Sequence, residues 1–243
     1  MVKKLVVQNP YDLSVLAELD WHSVEEIENK IFQAKQNFNP SSPRLSVAER
    51  ISILQKTMTL MESQKEMLAM LIAQEGGKPY KDAVVEVVRA INGVQLAIEG
   101  TGQIKGQEIP MNLNAASMDK KAWTIRQPLG LVLAISAFNH PLNLIIHQVI
   151  PAIAVGCPVL VKPALTTPLS CLKLVELLYE AGLPQDLCQV VLCSDAMTEE
   201  MAKDSRWGLV SFIGSAKIGW KLKSQLAPGV QCILEHGGVA PVV

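Results

Sequence analysis

Four polar side chains in the sequence each stand at the end of an apolar run, and each belongs to a type that takes part in catalysis or ligand binding. They are Asn139, Lys162, Ser215 and Glu235, which follow the segments AISAF, PVLV, SFIG and QCIL. A side-chain amide can donate to a developing oxyanion, and a carboxylate can act as a general base. An ammonium and a hydroxyl can bind sugar hydroxyls or phosphates.

The first two side chains leave predicted strands at a turn. In the segment FNHP the asparagine precedes a predicted helix, where the NH2 of Asn139 could donate to an oxyanion. The alternative is a turn or N-cap asparagine. Lys162 is followed by Pro163, so the strand ends there and the ammonium is presented at the rim of the sheet. It could bond ribose hydroxyls or a phosphate, and the alternative is a solvated surface lysine.

The other two side chains adjoin glycines. Gly214 and Ser215 form a predicted strand, turn and helix start that offers backbone NH groups and a hydroxyl to a pyrophosphate. This turn is not GxGxxG, and a single glycine turn is weak evidence. Glu235 closes an apolar strand shortly before Gly237-Gly238, so we expect a partly desolvated carboxylate that is suited to general-base work. The alternative is a glutamate that pairs with a neighbouring cation.

The elements that must position these side chains follow Pro128, where apolar strands alternate with helices. The predicted strands are 129–136, 158–162, 189–193, 208–213 and 230–235, and the predicted helices are 141–155, 168–181, 198–202 and 215–226. Continuous apolar strands with intervening helices predict a parallel sheet that is covered by helices on both faces. Ligands of such sheets bind beyond the carboxyl ends of the strands. The segments to inspect are therefore 136–139, 162–167, 213–215 and 235–238.

The sequence before Pro128 has a different character, and the chain divides into three predicted parts, 1–103, 104–127 and 128–243. The first part is predicted to be helical: a capping box at Ser46 and Glu49 opens one helix, and further helices run through 68–73 and 80–98. The second part is polar and lacks periodicity, which predicts a β arm that leaves the main body. Such arms are often used for assembly.

Composition excludes several classes of function. The chain has 243 residues, of which 49% are hydrophobic and 19% charged, and a net charge of −1. A nearly neutral chain has no electrostatic footprint for nucleic acid or for an anionic membrane. It also lacks the roughly 18 uninterrupted apolar residues of a membrane span. The N-terminal segment MVKKLVVQNPYDLSV does not resemble a signal peptide, so a cytoplasmic location is expected.

The five cysteines form an odd set without a CxxC pair: Cys157, Cys171, Cys188, Cys193 and Cys232. This pattern argues against a disulfide framework and against a zinc site. Their apolar surroundings predict buried free thiols.

Taken together and in this order, the four sites resemble one family, the aldehyde dehydrogenase superfamily. The segments that carry the resemblance are EGGKPYKDAVVEV, GQEIP, QPLGLVLAISAFNHP, LVKPALTTP, GLP, FIGSAKIG and LEHGGVAP, which span nearly the whole chain. The resemblance implies an α/β fold with a Rossmann-like parallel sheet, an N-terminal helical segment and a protruding β arm for oligomerisation. It also implies NAD or NADP as cofactor, a small aldehyde as substrate and a homo-oligomeric parent enzyme, a dimer or tetramer.

The resemblance also assigns roles to residues. In the family a cysteine thiolate attacks the aldehyde, the asparagine matching Asn139 holds the oxyanion, and hydride passes to the nicotinamide. Water activated by the glutamate matching Glu235 then hydrolyses the thioester. The lysine matching Lys162 contacts the adenosine ribose, and the serine matching Ser215 lies at the phosphates. The full set implied for cofactor binding is Ile135, Ser136, Ala137, Phe138, Lys162, Ala164, Leu165, Gly214, Ser215 and Gly237.

The chain departs from the family pattern at four positions before its end. Phe138 replaces a tryptophan and keeps an aromatic wall. Leu165 replaces a glutamate that bonds the ribose hydroxyls and repels a 2′-phosphate, so mixed or NADP use is our hypothesis. His236 replaces a leucine and Val239 a lysine, and the sequence gives no interpretation of either change.

The family's nucleophilic cysteine lies downstream of the glycine pair, and none of the five cysteines here stands in its context. Cys232 is close to Glu235 in sequence, but it lies on the apolar strand and is predicted to be core. We therefore expect this chain to be the N-terminal, cofactor-binding half of a longer dehydrogenase, and not to oxidise aldehydes by itself.

Two alternatives remain open. One is a non-catalytic dinucleotide-binding or scaffolding protein, against which Asn139 and Glu235 count. The other is an acyl-phosphate or acyl-CoA reductase of the same superfamily, which would generally not need Glu235 to deacylate. The sequence does not identify the aldehyde.

Overall fold

A five-stranded parallel sheet lies at the centre of the computed structural model, which describes residues 4–238 and 241–242. The strands of the molecule are β1 Lys4–Gln8, β2 Val15–Asp20, β3 Glu108–Ile109, β4 Ala122–Trp123, β5 Leu131–Ile135, β6 Val159–Lys162, β7 Cys188–Val190, β8 Trp207–Gly214 and β9 Gln231–His236. The helices are α1 Val24–Gln36, α2 Val47–Ser63, α3 Lys65–Gly76, α4 Tyr80–Thr101, α5 Asn143–Val155, α6 Leu169–Glu180, α7 Asp195–Ala202 and α8 Ala216–Lys223.

The sheet has the strand order β7-β6-β5-β8-β9, and all four neighbouring pairs are parallel. The chain first builds outward from β5 through β6 to β7, and then returns to the other side of β5 with β8 and β9. The order therefore reverses between β5 and β8, which is the point where ligands of open parallel sheets bind. The predicted parallel sheet is confirmed.

Helices cover both faces of the sheet, as the sequence predicts. One face packs on α2 to α6 in a core that includes Val132 and Ala134 of β5. The other face packs on α1, α7 and α8, and its core includes Leu131 and Leu133 of the same strand. Successive side chains of a strand point to opposite faces, so one apolar run serves both cores. The first core joins α2, α3 and α4 to the sheet, and the predicted parts 1–103 and 128–243 thus share it.

The expectation of a wholly helical first part is wrong. The strands β1 and β2 form an antiparallel hairpin, and α1 follows with its own capping box, in which Ser23 accepts from the backbone of Glu26. The hairpin is short and its second strand is mostly exposed or half-buried, so it lacks a strong apolar run. The capping box at Ser46 and Glu49 is present as predicted and begins α2.

The predicted arm at 104–127 contains an antiparallel pair of two-residue strands, β3 and β4. Its apolar side chains point into solvent: Leu113, Trp123 and Ile125 are each about two-thirds or more exposed. The arm therefore has no core of its own among the described residues.

Strands β7 and β9 also differ from the sequence prediction. Strand β7 ends at Val190 rather than at residue 193, and β9 is an edge strand in which exposed and half-buried residues alternate. None of the helices within the described part of the chain combines the length and the apolar character that crossing a membrane requires.

Candidate functional site

The carboxyl ends of β6, β5, β8 and β9 lie side by side along one edge of the sheet. Ile135 of β5 is in register with Lys162 of β6 on one side and with Phe212 of β8 on the other. On β8 and β9, Ile213 is in register with Glu235. The structure thus brings the four polar side chains of the sequence motifs to one edge, in the order Lys162, Asn139, Ser215 and Glu235.

The exit of β5 is buried and its backbone is fixed. Ile135 and Ser136 are buried, Ala137 is half-buried and Phe138 is exposed. The NH of Ser136 donates to the carbonyl of Lys162 at 3.1 Å, and the side chain of Gln148 donates to the carbonyl of Ile135 at 3.2 Å. The hydroxyl of Ser136 is buried and has no hydrogen-bond partner among the described residues.

Asn139 is exposed, and its backbone carbonyl is bonded by the ion pair of Lys78 and Glu86. The ammonium of Lys78 donates to the carbonyl of Asn139 at 2.6 Å and to Oε2 of Glu86 at 2.5 Å. The other oxygen of Glu86 accepts from the NH groups of Leu142 and Asn143, at 2.9 and 3.1 Å. Glu86, and not Asn139, therefore satisfies the free NH groups at the start of α5, and the N-cap alternative for Asn139 is wrong.

A second buried glutamate, Glu75, accepts hydrogen bonds from backbone NH groups at the end of the loop after β6, where α6 begins. The carboxylate of Glu75 accepts from the NH groups of Leu169 and Ser170 at 2.6 and 2.9 Å, and from the hydroxyl of Ser170. Burial raises the pKa of Glu75, and these hydrogen bonds oppose that shift. The hydroxyl of Thr167 in this loop donates to the carbonyl of Phe138 at 3.2 Å, which ties the loops after β5 and β6 together.

Sequence reasoning missed Lys78, Glu86 and Glu75 as parts of the site. Their only signal is the segment EGGKPYKDAVVEV, which contains all three and belongs to the family resemblance. Lys78 and Glu86 are 8 residues apart, but the contacts that these three residues make with the loops after β5 and β6 span at least 54 residues, and no local pattern encodes such contacts.

Lys162 is a buried ammonium with one acidic partner. Only 7% of its side chain is exposed, and its Nζ lies 3.1 Å from Oδ1 of Asp195, whose side chain is 89% exposed. The alternative of a solvated surface lysine is therefore wrong. Ala164 and Leu165, which follow in the loop, are half-buried.

Ser215 is the N-cap of α8, where its hydroxyl accepts from the NH of Ile218 at 3.4 Å. Gly214 before it is half-buried, and a Cβ at this position would stand 2.6 Å from the ring of Phe212. A glycine is thus required here by the packing of Phe212. The other NH groups of the first turn of α8 have no partner within the helix, which is the usual state of a helix start.

Glu235 is exposed, and its expected desolvation is wrong for this chain. It is the penultimate residue of β9, an edge strand that pairs with β8 on one side and with no described strand on the other. The alternative of an ion pair is also wrong, because no salt bridge among the described residues includes Glu235. The carboxylate instead lines a cleft of about 1110 Å³ between β8, β9, α5 and the base of the arm, next to Ile233 and His147.

The structure explains one of the two departures that the sequence left without interpretation. The ring of His236 packs against Trp220 of α8 with 5.6 Å between the ring centroids, so it fastens β9 to that helix. Gly219 of α8 makes room for it, since a Cβ there would stand 2.6 Å from Nε2 of His236. Gly237 is exposed, and Val239 lies outside the described residues.

Four of the five cysteines are core residues, whereas Cys232, which was predicted to be core, is only half-buried on the edge strand β9. Cys157, Cys171, Cys188 and Cys193 are buried, and Cys232 is half-buried. Burial raises the pKa of Cys171 and Cys193, raises that of Cys188 to about 12, and raises that of Cys232. A raised pKa keeps a thiol protonated at neutral pH, whereas the nucleophile of a thiol enzyme is the thiolate. The positions and pKa shifts of these thiols suit core packing and not attack on a carbonyl.

Comparison with known proteins identifies relatives of this arrangement. A family model described as the aldehyde dehydrogenase family matches residues 2–243. The mitochondrial succinate-semialdehyde dehydrogenase of Arabidopsis thaliana is 33% identical over 243 residues, which is 99% of this chain and 45% of that protein. The chain thus spans about half the length of the curated relatives that it matches.

Solved structures that are similar to this chain also include aldehyde dehydrogenases. Aldehyde dehydrogenase 21 from Physcomitrella patens, in complex with the reaction product succinate, superimposes with a TM-score of 0.93 and 35% identity, over 99% of this chain and 50% of that one. A glyceraldehyde-3-phosphate dehydrogenase from Methanocaldococcus jannaschii complexed with NADP gives a TM-score of 0.89 and 31% identity, over 98% of this chain and 52% of that one.

Proposed function

The chain belongs to the aldehyde dehydrogenase family, and from this membership we propose that it binds NAD or NADP at the carboxyl edge of its sheet. We further propose that it contributes Asn139 and Glu235 to the oxidation of a small aldehyde to a carboxylic acid by the whole protein. The observation that carries the proposal is the buried ammonium of Lys162 at this edge, which among the described residues bonds one carboxylate oxygen of Asp195. Its remaining N–H donors are polar groups that a bound ligand would satisfy.

The residues at the edge fit a dinucleotide in three places. The ammonium of Lys162 has three N–H donors, and among the described residues it uses one of them, toward Asp195, so it retains donors for ribose hydroxyls. Ser215 and the first NH groups of α8 would bind the pyrophosphate. The segment Ile135–Phe138 would lie along the cofactor between them. When bound, the nicotinamide accepts the hydride of the aldehyde.

Asn139 would stabilise the charge that develops on the substrate. Addition of a thiolate to the aldehyde carbon places a negative charge on the former carbonyl oxygen, and the NH2 of Asn139 is an exposed donor for that oxygen. Lys78 donates to the backbone carbonyl of Asn139 and so holds the backbone of this residue in place. The thiolate would come from outside the five cysteines described above, because four of them are buried and the fifth, Cys232, is half-buried on β9 with a raised pKa.

Glu235 would act on the thioester that remains after hydride loss. Its carboxylate would take a proton from water, the hydroxide would add to the thioester carbon, and the thiolate would leave as the acid forms. The side chain is open to solvent here, and we propose that the remainder of the full-length protein covers it. An acyl-CoA or acyl-phosphate reductase would not need this base.

The arm would serve assembly. Leu113, Trp123 and Ile125 are exposed on it, and a second protomer would remove these apolar side chains from water. We therefore propose that the parent is a homo-oligomer. The cytoplasmic location expected from the sequence stays a prediction.

A non-catalytic dinucleotide-binding role is the second candidate, and the placement of the cysteines favours it for this chain alone. Both candidate functions use the same cofactor site, but only the first uses Glu235 as a general base. Cofactor binding therefore does not distinguish them, whereas an assay of aldehyde oxidation by the whole protein does.

Titration calorimetry of the purified chain with NAD⁺ and with NADP⁺ tests the proposed site. We expect binding of at least one of them, and Lys162→Ala should raise its Kd by roughly tenfold to a hundredfold, since a hydrogen bond to a charged group contributes about 1.5–3 kcal/mol. Lys56→Ala, at an exposed lysine of α2, is the matched control and should leave the Kd unchanged. Absence of binding to the unaltered chain, or an equal effect of both variants, would contradict the site.

A further inference from the structure

The ion pair between Lys162 and Asp195 joins two different elements at the cofactor edge. Lys162 is the last residue of β6, and Asp195 is the first residue of α7. Their side chains differ in exposure, because that of Lys162 is 7% exposed and that of Asp195 is 89% exposed. The carboxylate therefore stands between the buried ammonium and solvent, where a ligand of Lys162 must also lie.

The start of α7 does not account for this placement. The N-cap is Ser194, whose hydroxyl accepts from the NH of Met197 at 3.2 Å, so the helix does not need Asp195 as a cap. A carboxylate in the first turn favours a helix through its dipole, but that effect does not require contact with a lysine of another strand. Within the described residues, Asp195 accepts a hydrogen bond from Lys162 alone, so most of its lone pairs remain free.

An ammonium beside a free carboxylate is suited to a vicinal diol, since the ammonium donates to one hydroxyl and the carboxylate accepts from the other. In dinucleotide-binding sheets an acidic side chain takes the ribose 2′-hydroxyl in this way. Leu165, in the loop directly after Lys162, is apolar and cannot accept a hydrogen bond.

We propose that Asp195 accepts the 2′-hydroxyl of the adenosine ribose and makes this chain select NAD over NADP. The inference rests on the proposed cofactor site, and it names the residue that sets the preference of that site. It is opposed to the hypothesis from the sequence, in which the loss of a glutamate at Leu165 permits NADP.

The charges around Lys162 and Asp195 favour NAD over NADP. A 2′-phosphate brings one and a half to two negative charges near neutral pH, roughly as for other phosphate monoesters. At this site it would meet the carboxylate of Asp195, and the charge of Lys162 is already offset by that carboxylate. Lys221 of α8 is bonded to Glu199 of α7 at 2.6 and 2.7 Å, so its charge is already paired.

The test compares the Kd of NAD⁺ and NADP⁺ by calorimetry on the purified chain and on Asp195→Asn. The unaltered chain should bind NAD⁺ at least tenfold more tightly than NADP⁺, and this ratio should fall by about tenfold in Asp195→Asn, mainly because NADP⁺ binds better. Glu200→Gln on the same helix, whose exposed carboxylate pairs with Lys203, should leave the ratio unchanged.

A second variant guards against a general loss of structure at α7. Adding Leu165→Glu to Asp195→Asn places a carboxylate in the loop after Lys162, and we expect it to restore the preference for NAD⁺. Equal or tighter binding of NADP⁺ by the unaltered chain, or an equal loss of both affinities in Asp195→Asn, would overturn the role of Asp195. Binding of neither dinucleotide by the unaltered chain would instead overturn the proposed cofactor site, and the inference with it.

Discussion

The two ends of the site differ in how the chain holds them. Asn139 and Lys162 follow central strands, and the loops after these strands are bonded by the buried carboxylates of Glu86 and Glu75. Glu235 is the penultimate residue of the edge strand β9 and is exposed to solvent. The end proposed for the cofactor and the oxyanion is thus preorganised by this chain alone, whereas the end proposed for the general base depends on further cover.

The two ends differ because buried polar groups must form hydrogen bonds within the protein, whereas exposed ones can bind water. Helices α5 and α6 start inside the protein, so their first NH groups need acceptors, and a carboxylate from α3 or α4 is the acceptor in each case. The edge strand β9 has no such requirement, since its end is open to water. Variants on the two sides should therefore have very different effects on stability.

The largest effect is expected for Glu86→Ala. The change leaves Lys78 without its anion and the start of α5 without its acceptor, and loss of one partner of a buried pair typically costs about 3–5 kcal/mol. Urea denaturation should show this decrease in the free energy of unfolding. Glu99→Ala at an exposed position of the same helix should change it by less than roughly 0.5 kcal/mol. Similar losses of unfolding free energy in the two variants would contradict the claim that buried carboxylates hold the end of the site at Asn139 and Lys162.

A smaller and pH-dependent effect is expected for Glu75→Gln. The NH2 of glutamine would face a backbone donor, and a buried group left unsatisfied costs about 1–3 kcal/mol. Because burial raises the pKa of Glu75 in the folded chain, the unfolded chain loses this proton first as the pH rises. The contribution of Glu75 to stability is therefore complete below its usual pKa and declines as the pH rises through the raised one.

Denaturation of both chains between pH 4 and pH 8 measures this dependence. The advantage of the unaltered chain over Glu75→Gln should shrink as the pH increases, and an advantage that grows with pH would contradict the assigned direction. Glu66→Gln, at an exposed glutamate of the same helix, provides the baseline.

The smallest effect on stability is expected for Glu235→Gln. The side chain is exposed and lacks a salt bridge among the described residues, so the free energy of unfolding should stay within roughly 0.5 kcal/mol of the unaltered value. In the full-length protein the same change should keep a first burst of reduced cofactor and lower steady turnover by about 10²–10⁴-fold, because deacylation loses its base. Steady turnover at the unaltered rate would refute this role.

The sequence predicts the central sheet well because its information is local. Strand β5 is apolar throughout and β6 is apolar up to Lys162, and the polar residues after these runs mark the edge where we propose that the cofactor binds. The capping box at Ser46 is equally local. Hairpin β1–β2 was missed because its short strands lack a continuous apolar run.

The remainder of the site depends on tertiary contacts that no local pattern records. The bond from Glu86 to Leu142 spans 56 residues, and the pair of Lys162 and Asp195 spans 33. The burial of Glu235 was predicted incorrectly for a related reason: strand order, and not the strand's own sequence, decides that β9 lies at an edge.

A crystal structure of the chain with NAD⁺ tests the central claim most directly. We predict density for the dinucleotide along the carboxyl edge, with the adenosine ribose at Lys162 and the pyrophosphate at Ser215 and the start of α8. Density in the cleft beside Glu235 and Ile233, or elsewhere on the surface with the edge left empty, would contradict the assignment of this edge as the cofactor site.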